Sequence, residues 1–204
     1  MIPDAKKLTL TSLFAGFMIG VGCLVYLSCE NRVVGAVFFS AGLFFVLSFG
    51  GTLFTGICGL KTPWRRLAAV FALNGLGIFL AGATAWTSPA LPQAAAALVV
   101  KKLAMHPLSW LTNGFLCGVM MYLGVTGFKR AGSGALSVAS VLYAVPVFIL
   151  AMFEHSIADM GYLFAALPLL SAGQALRMAG VILIIALGNV AGSKAARICT
   201  TFAP

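Results

Sequence analysis

The stretch Phe153-Glu154-His155-Ser156-Ile157-Ala158-Asp159-Met160 interrupts a segment that is otherwise apolar from Val145 onward. It holds two of the chain's four acidic residues and one of its two histidines. Ionisable side chains are costly at membrane depth and persist there only where they face protein or a wet cavity. The stretch therefore demands a fold that wraps it. It is the first candidate for a site, and a permeation pathway is the kind of site expected.

Composition puts this segment in a membrane. Of 204 residues, 61% are hydrophobic and only 8% are charged, with mean hydropathy +1.07. A soluble domain of this size has too little interior to hide that much apolar surface. Segments of alternating polarity are missing, which favours helices over an outer-membrane barrel. At about 20 residues per crossing, the chain has room for six or seven spans and no separate soluble domain. The net charge of +9 sits in short loops between apolar runs. Membrane orientation accounts for it, and nucleic acid is not an expected partner. Cys23, Cys29, Cys58, Cys117 and Cys199 show neither CxxC nor metal spacing and read as small packing residues. Lys6-Lys7 before an apolar run looks like a signal peptide, but the run continues for a full span and reads as the first helix.

The expected architecture is an all-α membrane protein of six transmembrane helices. The spans fall near Leu8–Leu27, Val33–Leu60, Leu67–Trp86, Leu108–Phe128, the segment beginning near Leu136, and Met178–Ala191. Thr87–Pro107, rich in Pro and Ala, reads as a connection carrying Lys101, Lys102 and His106. Placing both termini on the cytoplasmic side puts nine of the thirteen basic residues inside, in keeping with the positive-inside rule.

An internal repeat is legible. Gly16-Phe17-Met18-Ile19-Gly20-Val21 resembles Gly114-Phe115-Leu116-Cys117-Gly118-Val119 at an offset of 98. Three spans per half, about 1–100 and 101–204 within one transmembrane domain, give halves of opposite topology. In each half the second span is broken, at Thr52–Gly56 and at Glu154–Asp159. Helices 2 and 5 are thus the interrupted ones, and paired interruptions in inverted repeats point to a mid-membrane permeation site. The Gly-xxx-Gly pairs at 16/20, 114/118 and 188/192 read as packing devices.

Broken helices expose N–H groups that attract anions. His155 is the side chain suited to proton exchange near neutral pH. Thr55 adds a hydroxyl, and Lys102 on the outer approach supplies positive potential. Phe39, Leu43 and Phe148 are candidates for apolar collars, although spacing alone favours packing. Such collars stall a bare anion and pass a neutral weak acid, so proton-linked movement of a small monovalent acid is expected. Asp159 lies at i+4 from His155, but only the distant His106 could join them, so no metal and no cofactor is expected. The alternatives are a neutral-solute pore for water or a small amide, and an intramembrane enzyme using Glu154, His155 and Asp159. HExxH is absent, and the chain reads as not an enzyme.

FEHSIADM, Leu53-Phe54-Thr55-Gly56, Phe39-Ser40-Ala41-Gly42-Leu43 and Gly188-Asn189-Val190-Ala191-Gly192 together resemble the formate/nitrite transporter family. The resemblance covers nearly the whole chain. It implies an aquaporin-like inverted repeat of six spans, assembly as a homopentamer in the cell inner membrane, and one pore per subunit. Family members move small monovalent anions or their acids: formate, nitrite, hydrosulfide and, in some branches, acetate, lactate or bicarbonate. Formate or nitrite is the first expectation for this chain and hydrosulfide the second, as a channel or proton-coupled transporter. By the resemblance, His155 is the central pore histidine, Thr55 its hydrogen-bonding partner, and Lys102 the lysine that draws anions in. Phe39, Leu43 and Phe148, with Leu53 and Phe54, are constriction residues, and Glu154, Asp159 and Asn189 support the pore. The chain departs from the family in three places. Thr52 stands where an acidic residue is usual, and Gly118 and Asp159 stand where asparagine is usual. Asp159 is expected to replace the missing acid, and loss of Lys102 is expected to weaken anion entry with little effect on assembly.

Overall fold

A computed structural model of the chain describes residues 4–132 and 134–201. Four uninterrupted helices, α1 (Asp4–Ser28), α4 (Trp64–Thr84), α6 (Pro107–Ala131) and α9 (Ala172–Thr201), are long and apolar enough to cross a membrane. Between them lie α2 (Arg32–Ser48) with the four-residue α3 (Phe54–Ile57), then α5 (Ala90–Leu103), and then α7 (Ala135–Leu150) with α8 (Ser156–Ala166). No strand occurs among the described residues. Many large apolar side chains stay exposed, including Phe38, Phe49, Trp64, Tyr143, Leu176 and Leu187. A water-soluble monomer rarely carries that much open apolar surface, whereas lipid favours it. The chain is a multi-pass membrane protein.

Local chemistry sets the helix limits. Asn31 Oδ1 accepts the Val33 and Val34 N–H groups and starts α2. His106 caps the start of α6 through Nδ1, with Pro107 at the first position, so the second histidine is a helix N-cap far along the chain from His155. Gly50 ends the α2 unit at φ +68°, and Met152 takes φ 61° just after α7. Arg32 donates through Nη2 to the carbonyls of Ile149 and Leu150, covering the open end of α7.

Two tight helix pairs, α1 with α4 and α6 with α9, frame the interrupted helices. Glycines allow the approach: Gly16 faces the Asn74 backbone and Gly77 the Leu13 carbonyl, while Gly118 faces the Asn189 backbone and Gly192 the Phe115 carbonyl. These matching contacts relate Gly16 to Gly118 and Leu13 to Phe115, pairs 102 positions apart. The sequence offset of 98 is therefore one helical turn out of register, because small residues recur every four positions along both helices.

Two further expectations are corrected. Thr87–Pro107 is not a plain connection: it forms α5, which packs on α8 and carries Lys102 in its last turn. The sixth span extends well beyond Met178–Ala191 into a 30-residue helix. Arg177 and Arg197 lie within it and donate to the carbonyls of Leu103 and Gly59.

Candidate functional site

Two asparagines hold the two breaks. Asn74 Nδ2 donates to Ser12 O (2.8 Å) and Thr52 O (3.0 Å), and its Oδ1 accepts Phe54 N–H at 2.8 Å. Asn189 Nδ2 donates to Gly114 O (2.8 Å) and Glu154 O (2.9 Å), and its Oδ1 accepts Ser156 N–H at 3.0 Å. Each amide is fully buried and uses both donors and its acceptor. The backbone freed at each break is thus satisfied internally, as a membrane interior requires. The family resemblance points to Asn189 as a support residue, whereas Asn74 emerges only from the fold. Their shared signal is an asparagine three residues before a close-contact glycine, Asn74/Gly77 and Asn189/Gly192.

The same bonds narrow which N–H groups at the breaks are free. The N–H groups of Phe54 and Ser156 are occupied by the asparagines, and that of Ala158 by His155. They are not open donors awaiting an anion.

His155 and Thr55 join the two breaks. His155 Nδ1 accepts the Ala158 N–H at 3.0 Å, capping α8, and Nε2 lies 2.9 Å from Thr55 Oγ1. A backbone N–H can only donate, so Nδ1 carries no proton and the neutral ring holds its hydrogen on Nε2. Nε2–H then donates to Thr55, whose own hydroxyl hydrogen remains for another acceptor. Both side chains are buried. Phe148 stacks on the imidazole with ring centroids 5.5 Å apart, and Phe39 meets Phe148 edge-on at 6.3 Å.

Lys102 reaches inward from α5 to two buried carboxylates. Its Nζ is bonded to Glu154 Oε2 and lies 2.9 Å from Asp159 Oδ1. Tyr162 places its ring 5.8 Å from the ammonium, and Trp110 Nε1 donates to Lys102 O, fixing the end of α5. Lys102, Glu154, Asp159, Phe148 and His155 line one cavity, with exposed Arg32 and Lys101 also on its wall.

The structure therefore brings His155, Thr55, Lys102, Glu154, Asp159, Asn189, Phe148 and Phe39 into one connected centre. Leu43 is buried in the core. Leu53 is the extended residue ahead of α3, and Phe54 packs its ring edge-on against Phe71 of α4 at 4.9 Å. Thr52 bonds to Thr11 through its hydroxyl (2.9 Å), in a pocket with Asp4, Lys7 and Arg66. Asp159 is paired with Lys102 instead. No cluster of three or more His, Cys, Asp or Glu able to hold a metal occurs among the described residues.

A multi-pass helical membrane protein whose two interrupted helices meet at a buried imidazole and hydroxyl is the class defined by this fold and centre. The sequence profile described as Formate/nitrite transporter matches residues 3–202, and the chain belongs to that family. Its members are channels and transporters, not enzymes. Among solved structures, an FNT family ion channel is similar with TM-score 0.88 and 19% identity, over 98% of this chain and 91% of that one. A pentameric formate channel with formate bound is similar with TM-score 0.81 and 21% identity, over 97% and 96%. No curated protein matches the chain in sequence.

Proposed function

We propose that this chain conducts a small monovalent anion or its weak acid across the cell inner membrane in a proton-linked manner. Formate or nitrite is the first choice of substrate and hydrosulfide the second. The observation that carries the reading is the His155–Thr55 pair, which closes the gap between the two broken helices at the buried centre. Family membership and the likeness to a channel with formate bound support it.

The chemistry follows from the bonding. The Thr55 hydroxyl, held by Nε2–H, offers its hydrogen to a carboxylate-like oxygen in the pore. Nδ1 is tied to α8, so proton exchange runs through Nε2 and Thr55. Phe39 and Phe148 form the apolar wall beside the ring, where a neutral acid passes at far lower cost than its anion. Lys102 supplies the positive charge nearest this centre. The halves 1–100 and 101–204 form the inverted repeat of one pore, both termini are cytoplasmic, and five subunits assemble. The likeness to a pentameric channel supports the assembly.

Uptake of formate and nitrite into liposomes bearing the full chain, compared across pH, tests the reading. Acid-stimulated flux that is lost in His155→Phe is expected. Flux indifferent to pH and to solute charge would instead mean a neutral-solute pore.

A further inference from the structure

Helices α2 and α7 end in the same turn, but one residue in it differs in kind. After α2, Gly51 N–H donates to Val46 O at 2.7 Å and Gly50 takes φ +68°. After α7, Phe153 N–H donates to Phe148 O at 2.9 Å and Met152 takes φ 61°. Gly50 and Met152 are 102 positions apart, the offset that also relates Gly16 to Gly118. The left-handed region is open to glycine and costly for a residue with a Cβ. Among the described residues, Met152 is the only one other than glycine found there. A strained conformation kept where glycine builds the same turn points to a task for the side chain.

The surroundings of Met152 show what that task is. Met152 lines the cavity that leads to Glu154, His155 and Asp159. Those three are buried, whereas Met152, Arg32 and Lys101 on the same wall are exposed, so the latter form the cavity's mouth. Met152 Sδ lies 4.0 Å from Lys101 Nζ, so the side chain reaches from the turn to α5. Arg32 is tied to the Ile149 and Leu150 carbonyls, which fixes the rim at that point. A thioether adds apolar bulk, with no charge and at most a weak acceptor. Its effect on an entering acid is therefore steric.

We propose that Met152 determines specificity by size. Its side chain narrows the mouth, so that acids and ions as small as formate and nitrite enter and acids of two or three carbons are held back. The proposal rests on the transport reading above and narrows its substrate class.

Uptake of labelled formate, nitrite and propionate is measured side by side in proteoliposomes at one fixed pH, with unfolding midpoints of the same preparations. In the wild type, propionate uptake is the smallest of the three. Met152→Ala and Met152→Gly each raise propionate uptake relative to the better-transported small ion by about tenfold, the scale on which a pocket senses a methylene. Met152→Gly also raises the unfolding midpoint, whereas Met152→Ala, which keeps a Cβ in the left-handed region, does not. A ratio unchanged in both variants overturns the proposal, as does a wild type that takes up propionate as readily as the small ions. So does a gain seen in Met152→Gly alone when both assemble, since relaxation of the backbone then accounts for it. Met152→Gly serves by itself if Met152→Ala fails to assemble, and failure of Met152→Gly to assemble contradicts the strain and overturns the proposal too. Absence of formate and nitrite uptake above empty liposomes in the wild type overturns the transport reading itself, and this inference with it.

Discussion

Asn74 and Asn189 make the same three hydrogen bonds at the two breaks, one on Thr52 and Phe54, the other on Glu154 and Ser156. Each also holds a neighbouring long helix through Ser12 O or Gly114 O. The breaks are thus fastened to the frame by side chains and do not depend on water.

Asn74→Leu strands the Phe54 N–H and the Thr52 carbonyl, and Asn189→Leu the Ser156 N–H and the Glu154 carbonyl. At about 1–3 kcal/mol for each buried group left unsatisfied, either change lowers the unfolding midpoint of the purified protein sharply in a thermal scan. Thr9→Val, which removes a hydroxyl bond to an exposed carbonyl, leaves the midpoint near the wild type and serves as the control.

Lys102→Met leaves Glu154 and Asp159 without a countercharge. Breaking a buried pair by removing one partner costs about 3–5 kcal/mol, so assembly and yield fall together with transport. The two buried carboxylates therefore overturn the expectation of a benign Lys102 loss. Adding Glu154→Gln and Asp159→Asn to Lys102→Met restores stability in the same scan, because no charge then remains to be compensated.

Gly16→Ala and Gly118→Ala push a methyl group into the backbone of Asn74 and of Asn189. Overpacking of this kind costs about 1–3 kcal/mol. Gly180 in α9 has open space around it, and alanine there gains roughly 0.5–1 kcal/mol of helix stability. Opposite signs in unfolding midpoints check the pair. At Gly118 no longer side chain fits against the Asn189 backbone.

Thr55→Val keeps the shape of the side chain and removes the acceptor for His155 Nε2–H. Formate uptake in liposomes falls by about tenfold or more, the equivalent of ~1.4 kcal/mol, while Thr55→Ser retains most of it.

Much of the centre was legible because its residues break rules. Glu154, His155 and Asp159 in an apolar run, and Gly50-Gly51 with Thr52 and Thr55 in another, are conspicuous against their surroundings. Asn74 was hidden because one amide in an apolar span is ordinary, and its three partners come from distant parts of the chain. Helix α5 was hidden by Pro89 and Pro92, which suggest a loop. Yet proline is tolerated in a first helical turn, and Ala94–Ala97 is a strong helix-forming run. The repeat was seen but placed one turn out, since the spacing of small residues cannot distinguish a register from its neighbour four positions away. The pairing of Lys102 with two acids could not be read, because Lys102 sits on α5, about fifty residues along the chain from Glu154 in the break and Asp159 on α8.

The four residues of α3 face the eleven of α8 across the centre. One turn of helix has almost no cooperative reserve of its own, so α3 keeps its shape through Asn74 and its packing, whereas α8 is also stiffened along its length. Amide deuteration should therefore reach Thr55–Cys58 well before Met160–Leu163, giving the passage one yielding lip and one firm one.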